Sequence, residues 1–217
     1  MEPKTGLADR LRAGTRQAHR NVEANPLLRA LLAGSLPMAG YAALTAQYFA
    51  IYRTLEQHAV HWIGNPIAGR MLFPELPRAA RLRHDLTVLF GEGWQERSGA
   101  AIRPATRRYC AHLDRTVRHW PGGFLAHHYV RYLGDLSGGQ LVRRALSHNY
   151  GYTGRMASTF YQFSCARTVK LLRDRYREAI DTAPVPLAEQ RAIVAEAELA
   201  FRLNQDVFAE LGEIYSG

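Results

Sequence analysis

The sequence predicts an all-α fold, a multi-helix bundle forming one domain over residues 1–217, and three observations predict it. Apolar residues recur at three- and four-residue spacing almost throughout, the signature of helices with one buried face. Runs of alternating Val, Ile and Thr are absent, which removes the strand signal. At 217 residues, with 47% apolar and 22% charged side chains, the chain is long enough for one core and too apolar for a disordered segment. Pro and Gly then punctuate the pattern at Asn25-Pro26, Gly34 to Pro37, Gly64 to Pro66, Pro74 to Pro77, Gly91 to Gly93, Pro121-Gly122-Gly123, Gly151 to Gly154 and Pro184 to Pro186. Helices are expected at roughly 5–24, 27–33, 38–63, 77–90, 104–119, 123–149, 158–181 and 186–215.

In the first helix Leu7, Leu11, Ala18 and Val22 make the core stripe, and Arg12, Arg16, His19 and Glu23 make a second stripe at spacings of four, three and four. His19 borders the core, Glu23 is one turn beyond it, and Arg12 is roughly 10 Å back along the axis. That layout suits an imidazole metal ligand with a carboxylate near its second nitrogen and a cation some distance away; a plain boundary histidine reads the same way. The helix expected at 123–149 carries Gly134, Gly138 and Gly139 inside an otherwise strong helical pattern. Each glycine costs about 1 kcal/mol relative to Ala, so the helix is prone to bend there. Gly134 and Gly138 share a face on which a flat ligand or another backbone can come close; tight helix packing, or a break at Ser137-Gly138-Gly139, is the alternative. Asp135 follows Arg131 by four residues and flanks that face, where it can order a water or form a solvated ion pair. Toward the C-terminus Arg173 and Arg177 share a face, and the stripe Ile193, Ala197, Phe201, Asn204, Phe208, Leu211 is interrupted by one amide, which needs a partner if buried.

Charge and motifs narrow the function further. Lys and Arg number 28 against 19 Asp and Glu, a net +9, most of it Arg, which implies an anionic partner. Cys110 and Cys165 lack CxxC spacing, which excludes a cysteine-based zinc or iron–sulfur site. Walker, GxSxG, HExxH and GxGxxG patterns are absent, as are the paired Glu-x-x-His motifs of a di-iron bundle. A nucleic-acid binder is suggested by the net charge and by Arg78, Arg81, Arg83, Arg107 and Arg108, with no recognised motif to support it. Met1 to Gly6 shows no basic region leading into an apolar run, and no stretch approaches the ~20 apolar residues of a membrane span, so a soluble cytoplasmic protein is expected.

The run from Ala126 to Gln140, AHHYVRYLGDLSGGQ, resembles the signature of the heme oxygenases almost position for position. The similarity extends over Leu11 to Glu23, Gln47 to Glu56, Phe160 to Phe163, Tyr176-Arg177 and Ala200 to Asn204, in the family's order. This resemblance implies heme b as substrate and cofactor together, held between a proximal N-terminal helix and a glycine-kinked distal helix. It assigns His19 as the axial iron ligand, Glu23 as its carboxylate neighbour, and Gly134 and Gly138 as the backbone over the porphyrin. Asp135 becomes the residue that orders distal water, with Tyr52, Arg131 and Asn204 around it. Arg12, Arg173 and Arg177 fall at the propionates, and Tyr129 and Phe201 among the remaining heme-contacting positions. Arg12 and Arg173 stand where mammalian members carry Lys, His128 where they have a small residue, and Val130 where they have a hydroxyl. The implied reaction consumes O2 and electrons from an acidic ferredoxin- or flavodoxin-like donor or reductase, cleaves heme at a meso carbon, expected to be α, and yields biliverdin, carbon monoxide and ferrous iron. A non-catalytic heme-storage protein of the same fold is the alternative.

Overall fold

The computed structural model describes residues 6–151, 157–163 and 166–216, the side chains of 166 and 167 excepted, and among them all regular structure is helical. In order the α-helices are α1 (Leu7–Gly14), α2 (Arg16–Glu23), α3 (Pro26–Ala33), α4 (Met38–Gln57), α5 (Ala79–Phe90), α6 (Trp94–Ala100), α7 (Pro104–Thr116), α8 (Pro121–His128), α9 (Gly134–Tyr150), α10 (Ala166–Asp181) and α11 (Leu187–Tyr215). A π-turn, Tyr129–Leu133, joins α8 to α9, and short 3-10 turns occupy Ala59–Trp62, Ala68–Met71 and Thr159–Tyr161.

The longest helix, α11, packs against α8, α7, α1, α2, α3 and α4. Its stripe of Ile193, Ala197, Ala200, Phe208 and Leu211 is buried against Leu11, Leu27, Leu31, Ile51, Leu113 and Phe124 of the surrounding helices. Each such large apolar side chain contributes about 1.5–3 kcal/mol on leaving water. Local signals set the ends where they are strong. At α3 the Asn25 side chain accepts from the Leu27 amide at 2.9 Å, Pro26 takes the first helical position, and Gly34 closes the helix at φ 78°.

Several expected boundaries move. The stretch expected as one helix over 5–24 is divided at Thr15, whose hydroxyl donates to the Leu11 carbonyl at 2.7 Å and competes with the backbone for it. The helix expected at 38–63 ends at Gln57, and the one at 104–119 ends at Thr116. The short α6 lies in the interval 91–103 where no helix is expected after the break at Gly91 to Gly93; Trp94 packs edge-on to Phe49, 5.7 Å between ring centres, and tertiary contact overrides the local signal. The segment expected over 158–181 is a 3-10 turn followed by α10, because buried Asp85 takes the Thr159 and Phe160 amides at 2.9 and 2.8 Å and fixes that turn. The break signal at Gly151 to Gly154 runs beyond Gly151 outside the described residues, as does Cys165. No described helix is long and apolar enough to cross a membrane.

Candidate active site

One wall of the site is the stretch from α8 through the π-turn to the start of α9. The departure from α geometry lies at Tyr129–Leu133, just before the first glycine, while Gly134, Ser137, Gly138 and Gly139 run inside the continuous α9. A π-turn widens the helix by one residue and shifts the register of 131 against 135. Accordingly the ion pair read from their i,i+4 spacing is not found among the described residues: the buried Arg131 donates from Nη1 to Asn204 Oδ1 at 2.5 Å, and its guanidinium lies over the rings of Tyr48 and Tyr52, 4.6 and 4.9 Å from their centres. That bond satisfies the Asn204 amide oxygen.

Asp135 is buried beside this group and accepts a hydrogen bond from the Tyr52 hydroxyl. Burial pushes its carboxyl up to about 6, against the opposing pull of Arg131, the Tyr52 hydroxyl and Arg78. Burial likewise keeps Tyr52 a neutral phenol, hence a donor. Behind them Tyr132 donates to Glu56 at 2.7 Å, and Glu56 takes the Arg78 and Ala79 backbone amides at 2.5 and 3.2 Å. His128 is stacked on Tyr132 with 4.1 Å between ring centres, and its Nδ1 accepts from the Tyr176 hydroxyl at 2.8 Å; burial lowers this imidazole to about 3, so it stays neutral.

The three glycines divide by environment. A side chain at Gly139 would meet Tyr161 at 3.1 Å, so helix packing accounts for it. Gly134 and Gly138 are exposed, and a Cβ at either would meet nothing within 4 Å. Bare backbone therefore borders open space beside Asp135.

On the other wall, α2 has no buried residue. The His19 side chain is 52% exposed, with Nδ1 3.4 Å from Glu23 Oε1 and its ring edge-on to buried Phe201, 6.0 Å between centres. The histidine expected to border the core thus projects from it. The two walls are joined by α11, which sets Phe201 against His19 and, three residues on, Asn204 against Arg131; Gln205 also donates to the Ala18 carbonyl at 3.2 Å. In the π-turn the Tyr129 phenol is raised by burial while Thr15, Arg177 and Arg12 pull it down, which puts residues of α1, α10 and the π-turn near one another around two of the three expected cations. Arg177 Nη1 is 4.0 Å from Asp174, and Arg173, half-buried, has a buried Nε without a hydrogen-bond partner among the described residues.

Of the expected site residues, Tyr52, Arg131, Asp135 and Asn204 come together in one buried group, His19, Glu23 and Phe201 in a second group, and Arg12 and Arg177 near Tyr129, while Arg173 is brought to none of these among the described residues. Tyr48, Glu56, Tyr132 and Tyr176 join the site without being singled out as site residues by the sequence. Tyr48, Tyr52 and Glu56 recur every four residues on α4, a polar stripe through an otherwise buried helix, and that spacing was the available signal.

A buried polar turn, bare glycine backbone and an exposed imidazole, linked through one long helix, are the features against which the relatives of this chain can be set. The heme oxygenase family model matches residues 5–210, and the chain belongs to this family of heme-degrading oxygenases. A heme oxygenase of Rhodella violacea is 32% identical over 207 residues, 95% of this chain and 87% of the relative. Heme oxygenase 1 of Nostoc is 30% identical over 95% of this chain and 86% of its own length. Among solved structures, heme oxygenase-1 of Synechocystis sp. PCC 6803 in complex with heme superposes with a TM-score of 0.90 at 30% identity, covering 96% of this chain and 93% of that one.

Proposed function

We propose that this chain binds one heme b between α2 and α9 with His19 as the protein ligand to iron, and cleaves it at the α-meso carbon to biliverdin IXα, carbon monoxide and ferrous iron. The observation that carries this is the pairing of an exposed imidazole on one wall with the open space in front of Gly134 and Gly138 on the other, the two walls tied by one helix. Heme, when bound, supplies both the iron at which O2 is reduced and the carbon skeleton that is oxidised.

The chain's own residues do the rest. Glu23 accepts from His19 Nδ1 and holds the ring orientation, and Phe201 walls the imidazole from the side. Asp135, ionised above about pH 6, anchors water beside the glycine backbone, and the neutral Tyr52 fixes the carboxylate by donating to it. Arg131, locked by Asn204, keeps that carboxylate in a positive field without taking its place. The bare backbone at Gly134 and Gly138 leaves the face above the iron free of bulky groups. Arg12, Arg173 and Arg177, with the Tyr129 hydroxyl, form the cationic end that takes two propionates and sets the in-plane orientation.

The excess of nine positive charges suits an acidic electron donor of ferredoxin or flavodoxin type. Residues 1–217 act in this reading as one domain, in a cytoplasmic setting. The test is a hemin titration followed by reductant and oxygen, with chromatography of the product. A one-to-one complex giving biliverdin IXα is expected, and replacing Arg173 and Arg177 together by Gln is expected to release other isomers. A wild-type product dominated by another isomer overturns the propionate assignment, and hemin binding without any bilin product favours the storage reading.

A further inference from the structure

Away from the cleft, α7, α8 and α11 converge at a cluster that the oxygenase chemistry does not use. His112 Nε2 lies 2.6 Å and His127 Nε2 2.8 Å from the same oxygen of Glu196, and one ligand atom from each of the three side chains lies within 4.8 Å of the others. Among the described residues no other three His, Cys, Asp or Glu side chains meet this closely. We infer that His112, His127 and Glu196 form a binding site for one divalent transition-metal ion of the Zn2+ class, clamping α7, α8 and α11 together.

The donor set points to that class. Two imidazoles and one carboxylate are a ligand set that Zn2+ takes in four-coordinate sites with one position left for water. Imidazole nitrogen favours Zn2+, Cu2+ or Ni2+, whereas Ca2+ and Mg2+ take oxygen. The geometry requires little rearrangement. Both imidazoles aim Nε2 at one point, now held by the carboxylate oxygen; an ion at about 2.0–2.1 Å from each nitrogen sits near that point once the carboxylate draws back. Glu196 has room to do so, its side chain being 13% exposed, and the 21% exposure of His112 marks the way in.

Protonation also suits ligation. Burial opposes the charge on Glu196, but hydrogen bonds from His127 and His112 hold it down to about 2, so a carboxylate is present. Burial keeps His127 below its ordinary range and therefore neutral. In the metal-free protein each Nε2–H donates to Glu196. When an ion takes Nε2 of His127 the ring proton moves to Nδ1, where the Tyr109 hydroxyl, 3.4 Å away, can turn from donor to acceptor. The Thr116 hydroxyl, 3.3 Å from His112 Nε2, stands where it can bond a water in the open position. Glu196 precedes Asn204 by eight residues on α11, about 12 Å along the axis, so the ion is separate from the heme cleft.

The experiment uses the full heme-free chain and two probes, Co2+ and Zn2+. One equivalent of Co2+ is expected to give the intense visible bands of a four- or five-coordinate ion, and one equivalent of Zn2+ to displace it with micromolar or tighter affinity. Zn2+ should also raise the melting temperature by mass action. His112→Gln and Glu196→Gln should each weaken Zn2+ binding about tenfold or more, whereas His58→Ala and His19→Ala should leave it unchanged. His112 and Glu196 lie near the surface, and circular dichroism checks that both variants fold. The inference is overturned if the wild-type chain binds no Zn2+ at micromolar concentration, if the Co2+ spectrum is the weak six-coordinate one, or if His112→Gln binds Zn2+ as tightly as the wild type.

Discussion

The two walls of the cleft are built in opposite ways. On the wall formed by α8, the π-turn and α9 every residue from Gly122 to Tyr132 is buried, and Tyr52, Asp135, Arg131, Asn204, Tyr132, Glu56, His128 and Tyr176 are joined by hydrogen bonds or ring contacts within the protein. On the proximal side α2 buries nothing, and His19 and Glu23 are 52% and 63% exposed. Under the proposed function the difference separates two tasks. Groups that steer a proton in the reaction must be fixed in advance, because reorganising them at that moment costs rate. A wall that only grips a large apolar ligand can be completed by the ligand, whose burial supplies the stabilisation.

Breaking the distal wall should give the largest effect. Asp135→Asn should lower biliverdin formation about a hundredfold near neutral pH while hemin still binds, because the anchored water loses its carboxylate. The same residue sets a pH dependence. With its carboxyl raised to about 6 by burial, Asp135 is ionised above that value and protonated below it, so wild-type turnover should fall as pH drops through about 6, and the Asn variant should lack this inflection. The sign for stability runs the other way: the folded chain holds this proton more tightly than the unfolded one, so the contribution is full below about pH 4 and is lost as pH rises through about 6. Denaturant midpoints of the wild type minus those of Asp135→Asn across this window read it directly.

A smaller effect tests the frame behind the carboxylate. His128→Ala removes the stack on Tyr132 and leaves the buried Tyr176 hydroxyl without its acceptor, which should cost about 3 kcal/mol of unfolding free energy. Since Tyr176 is on α10 beside Arg177, the variant should also broaden the isomer pattern of the product. The smallest effect belongs to the proximal wall. Glu23→Gln touches only an exposed pair, so the heme-free protein should change stability by less than about 1 kcal/mol, while the iron–histidine vibration of the ferrous complex shifts. A large loss of stability there would mean that the proximal helix is prebuilt after all.

The same contrast explains what could be read from the sequence. Helix existence was legible because apolar spacing reports burial, and α3 was legible to within one residue, expected at 27–33 and found at Pro26–Ala33, because Asn25, Pro26 and Gly34 are local signals. Gly134, Gly138 and Asp135 stood out because the glycines interrupt a helical pattern, and Arg12, His19 and Glu23 because they form a second stripe at helical spacing beside the apolar one. The partners were not legible. Arg131 and Asp135 four residues apart suggest an ion pair, yet the π-turn sends Arg131 to Asn204, 73 residues away, and leaves Asp135 to Tyr52. A π-turn is imposed by packing rather than by propensity, and the pairing of α4 with α9 is tertiary. His128 was visible as an oddity and only the fold supplies its reason, the slot between Tyr132 and Tyr176.

Amide hydrogen exchange with and without hemin distinguishes a wall ordered in the free chain from one ordered by the ligand. Residues 16–23 should exchange fast in the heme-free chain and gain about tenfold or more in protection on loading, while residues 121–133 should be strongly protected in both states. Equal protection of the two segments before hemin is added, or a large gain confined to residues 121–133, would contradict the account.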